Sequence, residues 1–245
     1  MANIKVAVIN ASTVVADADV QAAVPALQTQ VSRDFASAWG IDAELSFVPS
    51  GATPPAGIWW LTILDNSDQA GALGYHDVTP DGLPLGKVFA GTDLQSGSSW
   101  TVTASHELLE MLADPEINLT VFAQADNTSG RLYAYEVCDA CEADSLGYSI
   151  NGTLVSDFVF PAWFETSRAA SSAQFDFGKK ITAPLQLLAG GYIGVFDVTS
   201  GQGWTQITAA GAARTYSMRA PVGSRRERRR TFRDQWMRSQ LVPRA

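Results

Sequence analysis

Apolar and polar positions along this chain switch between two periods, and the switches mark the elements. Residues 4–9 (IKVAVI) are a β-branched apolar run and predict a buried first strand. Val20, Val24, Leu27, Val31, Phe35 and Trp39 then recur at spacings of three and four, which predicts a helix over roughly 19–39 closed by Gly40. Pro25 falls in its early part and moves the expected start toward Val24. Residues 42–48 alternate as a strand, 51–57 (GATPPAG) form a loop, and 58–65 (IWWLTILD) are the most strand-like run. After a Gly/Ser-rich connection, 101–113 reads as a second helix with apolar Val102, Leu108, Leu109, Met111 and Leu112, stopped by Pro115. Beyond it, 131–137, 147–160, 172–177 and 190–197 predict short strands, and 190–207 a hairpin or small β-appendage.

This order predicts an α/β (α+β) fold, with a mixed sheet, a long backing helix and a second helix beneath the sheet. The expected organisation is a core over 1–165, a β-rich appendage over 166–218 and a basic tail over 219–245. With 245 residues and 46% hydrophobic content, the composition is that of a folded globular chain. No 18-residue apolar run and no signal-peptide pattern occur, so the expected setting is the cytoplasm or an assembled particle, without membrane contact. Charge changes the picture. The net −8 hides a tail from Arg219 to Ala245 with nine Arg against Glu227 and Asp234, hence +7, on a body of −15. Such a tail is expected to contact nucleic acid or an acidic protein surface. The only cysteines, Cys138 and Cys141, read as two ordinary thiols, since one C-x-x-C pair falls short of a zinc knuckle.

The segment SHELLEMLADP carries the chemistry. Positions i and i+4 of a helix share a face, so His106 and Glu110 can meet at one metal ion. Glu107 projects about 100° around the helix, where it can serve as general base to water activated by the metal. This is the logic of H-E-x-x-H with Glu in place of the second His. A further ligand is needed, and the candidates are Glu136, Asp139, Asp114 and His76, with Cys138 a possible replacement. His76 has three readings: a hydrogen-bonded loop residue, an oxyanion donor, or a fourth ligand whose tautomer Asp77 fixes. Tyr75 and Tyr148 are further phenol donors that no spacing singles out. Asp114-Pro115 has a sufficient structural explanation, a helix stop whose carboxylate accepts from loop amides.

GALGYHD, SHELLEMLADP, EVCDACE and VSDFVFPAWF, in that order, resemble a zincin-like family of metallopeptidase-type proteins encoded by bacteria and tailed phages, over most of residues 1–215. The resemblance implies that GALGYHD (71–77) is the sheet edge lining the substrate cleft, where a peptide adds as a strand, with His76 near the metal. It also implies a downstream acid as ligand, in the place of Glu136. Familiar zincins carry His where Glu110 stands, and a carboxylate there weakens Lewis acidity. Two functions follow. One is a zinc-dependent peptidase or amidase, with calcium or another divalent ion as the alternative in so carboxylate-rich a set. The other is a non-catalytic structural or binding protein, such as a virion component, that keeps the fold.

Overall fold

The computed structural model describes residues 4–214 apart from 70, 80, 125, 201, 202 and 212. The basic tail over 219–245 lies outside the described residues. The fold is α+β.

Strand β1 (Ile4–Asn10) is followed by helix α1 (Asp17–Thr29), which runs through a π-helical turn (Gln30–Phe35) into α2 (Ala36–Trp39). Gly40 closes it at φ 68°, a left-handed position that favours glycine. The helix starts at Asp17 and carries Pro25 inside it, against the later start expected from that proline. The hydroxyl of Thr29 donates to the Pro25 carbonyl, one turn back. Strands β2 (Ala43–Val48), β3 (Trp59–Leu64), β4 (Gly74–Val78) and β5 (Pro84–Phe89) complete the first sheet, in the order β2-β1-β3-β5-β4. All pairs are parallel except β4 with β5. Strand β4 is therefore an antiparallel edge, and β5 was not foreseen as a strand.

The inner strands are buried on both faces, which explains why β1, β3 and β5 are apolar for most of their length. Alternate residues divide between two cores. Val6, Val8, Leu61, Ile63 and Val88 pack with α1 and the helix described next, whereas Ala7, Ile9, Trp60 and Leu85 form a smaller cluster on the far face.

Helix α3 (Ala90–Ser96) leads into α4 (Trp100–Ala113), which is buried from Val102 to Ala113 and packs on β5, β4 and β3. Asp114 ends it: its carboxylate accepts the amides of Asn118 and Leu119, each at 3.0 Å. The stop foreseen at Asp114-Pro115 thus has its expected mechanism.

Strands β6 (Thr120–Gln124) and β7 (Gly130–Ala134) belong to a second, antiparallel sheet. Between them and its other strands in sequence lies the hairpin of β8 (Tyr148–Ile150) and β9 (Thr153–Val155), turned at Asn151-Gly152 with φ 51° and 87°. The second sheet continues with β10 (Tyr192–Asp197), β11 (Trp204–Thr208) and β12 (Ala213–Arg214), in the order β12-β11-β10-β7-β6. It draws strands from both sides of the boundary expected at 165. The segment 172–177 contributes one isolated bridge, Val159 to Asp176, where a strand was expected. No helix among the described residues is long and apolar enough to cross a membrane.

Candidate metal centre

Helix α4 crosses under the edge strand β4, and close packing there brings the two histidines of the chain into one cluster. Period-two alternation puts Gly74 and His76 on the same face of β4, toward α4. A side chain at position 74 has no room: its Cβ would lie 2.7 Å from both Glu107 Oε1 and Thr103 Cγ2. Position 74 therefore has to be glycine for Glu107 to sit where it does.

His106 and Glu110 converge as the i, i+4 spacing predicts, with His106 Nε2 3.1 Å from Glu110 Oε2. Asp139 supplies a third group, its Oδ1 3.2 Å from the same nitrogen. It is delivered by a short 3-10 turn, Asp139–Cys141, packed against β10. That packing needs Gly191, whose Cβ would stand 2.3 Å from the Ala140 carbonyl oxygen. His76 Nδ1 lies 3.7 Å from Glu107 Oε2 and 3.7 Å from Glu110 Oε2, and its Nε2 3.7 Å from Glu136 Oε2. These are ion-pair distances, beyond hydrogen-bond reach. Cys138 donates its backbone N–H to Glu110 Oε1 at 3.1 Å, leaving Oε2 to face the histidines.

Six of the residues singled out in the sequence, His76, His106, Glu107, Glu110, Glu136 and Asp139, thus meet in one place. Two details differ from expectation. Glu136 lies beyond the end of β7 at Ala134, where one strand was expected to run over 131–137. Asp77 does not set the tautomer of His76; its Oδ1 accepts the Val78 amide, and neighbouring strand residues face opposite ways. Tyr75 and Tyr148 bond elsewhere, to Asp68 and to Asp34 respectively. Asp114 caps its helix and offers nothing to the cluster's ligand groupings.

Two neighbours were missed. Glu142 groups with His106 and Asp139, all three donor atoms lying within 4.8 Å of one another. Its signal was present in DACE, since residues three apart eclipse on a 3-10 turn. Tyr192 opens β10 and lines the same cleft as His106; nothing local announces it.

Electrostatically the cluster is a buried excess of acceptors. Burial lifts Glu136 to about 8, with Glu110 adding to it. Burial raises Glu142 to about 7 and also raises Glu110, which His106 pulls back. For His76 burial opposes the charged form, but Glu136, Glu107 and Glu110 outweigh it and raise the imidazole to about 10. His106 is likewise raised well above its ordinary value, against burial, chiefly by Glu110 and Asp139. Burial, then Asp139 and Glu142, keeps the Tyr192 phenol protonated. Three buried atoms, His76 Nε2, Glu107 Oε2 and Glu136 Oε2, have no hydrogen-bond partner. Leaving such atoms unsatisfied costs about 1–3 kcal/mol each. A divalent cation fits this donor set, because it satisfies several acceptors at once and displaces the protons they hold.

Above the cluster opens a cleft of about 930 Å³. It is lined by Gly71–Gly74 on the edge-strand side and by His106, Glu107, Glu142 and Tyr192. His76, Glu110, Glu136 and Asp139 are not among the lining residues. His76 is therefore set back from the cleft lining, among the other donors of the cluster.

Cys138 and Cys141 are free, buried thiols. Burial pushes both well above the ordinary thiol range, so neither is a thiolate at neutral pH. Cys138 Sγ forms one further grouping with His106 and Glu110. No family model matches the chain, and no curated protein or solved structure does either.

Proposed function

We propose that the protein is a divalent-metal-dependent hydrolase of the metallopeptidase type, cleaving an amide or peptide bond with Glu107 as general base. The observation that carries this reading is the convergence of Glu110 and Asp139 on His106, which lines a cleft together with Glu107. His106, Glu110 and Asp139 are the residues that would hold the ion. When bound, a cation there supplies Lewis acidity toward a substrate carbonyl and lowers the pKa of water.

The chain's own residues perform the rest. Glu107 lines the cleft one residue after His106, and its carboxylate is the acceptor that would take a proton from water. The segment 71–74 leads into β4 at the outer edge of the sheet, where an extended peptide can align by strand addition. Tyr192, held protonated and lining the same cleft, offers a donor toward developing negative charge. Zinc suits the two imidazoles; the carboxylate surplus also admits calcium or manganese.

A second reading, a non-catalytic structural or binding protein such as a virion component, draws on that same surplus. The Glu110 carboxylate, standing where familiar zincins carry an imidazole, weakens Lewis acidity while still binding an ion. Elemental analysis followed by peptide and amide hydrolysis assays on wild type and Glu107→Gln separates the two. The hydrolase reading expects bound metal in both proteins and a rate loss of about 10²–10⁴ in the variant. Bound metal without any Glu107-dependent cleavage assigns the structural role.

A further inference from the structure

We infer that the centre holds two divalent ions, bridged by Glu110, with a deep ion beside His76 and a second ion at the cleft beside His106. This rests on the metal-dependent reading above and extends it.

The donor atoms form three groupings, of which two share no residue and the third, His106 with Glu110 and Cys138, overlaps both. His76, Glu110 and Glu136 form one, with ligand atoms all within 4.8 Å of one another; His106, Asp139 and Glu142 form the other on the same criterion. Donors held at about 2.0–2.2 Å from one ion lie roughly 3–4 Å apart. The His106 contacts at 3.1 and 3.2 Å fall in that range, and His76 presents Nδ1 to Glu110 and Nε2 to Glu136, each at 3.7 Å, so that either nitrogen has a carboxylate at ligand spacing.

Glu110 connects the groups. Its Oε1 is engaged by the Cys138 amide, and its Oε2 reaches both imidazoles, 3.7 Å from His76 Nδ1 and 3.1 Å from His106 Nε2. An oxygen facing two separate ligand sets is the position of a bridge, and paired catalytic ions typically stand about 3.5–4 Å apart. A single ion at His106 would leave His76 Nε2 and Glu136 Oε2 as they are, buried and without a hydrogen-bond partner.

Charge argues the same way. Glu107, Glu110, Glu136, Asp139 and Glu142 bring five carboxylates around two imidazoles. With every donor deprotonated, as ligation requires, one divalent ion leaves −3 in this enclosed site, whereas two leave −1. A buried net charge of the larger size is costly unless compensated.

The two positions differ in access. His106 and Glu142 line the cleft, while none of the residues His76, Glu110 and Glu136 does. The deep ion is therefore expected to exchange slowly and the ion at the cleft quickly.

The test is metal stoichiometry of the full chain, dialysed against Zn²⁺ and measured by elemental analysis, with release followed by a chromogenic chelator. Expected are two equivalents for wild type released in a fast and a slow phase, and one equivalent, released fast, for His76→Ala with its circular dichroism unchanged. If the variant does not fold, Mn²⁺-loaded wild type decides by electron paramagnetic resonance. An exchange-coupled spectrum supports the pair and an isolated-ion spectrum overturns it. One equivalent in wild type that is lost in His106→Ala but kept in His76→Ala overturns the pair and leaves the single-ion hydrolase standing. No bound metal in wild type overturns both.

Discussion

Gly74→Ala perturbs a close approach between the edge strand β4 and helix α4. The new Cβ would lie 2.7 Å from Thr103 Cγ2 and 2.8 Å from Glu107 Cγ, with Glu107 Oε1 also at 2.7 Å. Carbon contacts settle at about 3.5–4.0 Å, so α4 and β4 must separate by something close to an ångström. The tip of Glu107 can swing aside, but Thr103 Cγ2 and Glu107 Cγ are anchored close to the backbone of a buried helix. Overpacking of this kind costs about 1–3 kcal/mol, which for a chain of this size lowers Tm by roughly 2–12 °C. The assay is thermal unfolding of four proteins: wild type, Gly74→Ala, Thr103→Ser and the double variant. Thr103→Ser deletes the clashing methyl and keeps the hydroxyl that donates to Asp93 Oδ1 at 2.8 Å. It is expected to restore about 0.5 kcal/mol or more in the Gly74→Ala background while costing stability on its own. Activity of Gly74→Ala should fall further than its stability, because the displaced group is Glu107. A Gly74→Ala protein that melts like wild type, or two substitutions that simply add, would refute the close-packed strand–helix contact.

Other outcomes follow from the same structure. Burial, then Asp176, pushes Asp157 up to about 7, above its ordinary value of 3.8 in the unfolded chain. The folded state thus holds a proton that the unfolded state releases. Its contribution is complete below about pH 4 and is lost as pH rises through 7, so Tm should fall between about pH 4 and pH 7. Asp157→Asn, which can still accept the Phe158 and Gly178 amides, should flatten that profile; an unchanged slope counts against the assignment. Chelation should lower Tm and added Zn²⁺ restore it, by about 2.7 kcal/mol of stability at a hundredfold excess over Kd; a melting curve indifferent to chelator denies a bound ion. Asp114→Ala strips the carboxylate from two loop amides and should cost about 1–3 kcal/mol in denaturant unfolding. Cys138 and Cys141 should resist alkylation in the native chain and react after unfolding, since both are 0% exposed; rapid native labelling would contradict their burial.

Periodicity made the parallel strands and the metal helix legible, because a strand buried on both faces and a helix buried for most of its length leave strong apolar signals. The pairing of His106 with Glu110 was equally local, four residues apart on one helix. Strand β5 escaped because Gly86 and Lys87 interrupt its apolar run; Lys87 is buried there with Asp68 at 2.6 Å. The π-helical turn and the tolerance of Pro25 also left no local mark, since packing against the sheet overrides helix propensity.

What the chain determined alone was therefore the part governed by short spacing: the elements with one period, the helix stop at Asp114, and two donors on one turn. The convergence of His76, Glu136, Asp139 and Glu142 on that turn was decided by tertiary structure. It depends on β4 lying antiparallel at the sheet edge, on Gly74 and Gly191 permitting contact, and on a 3-10 turn held against β10. Those groups come from segments far apart in sequence, and no local period encodes the distance between atoms that meet only when the layers close.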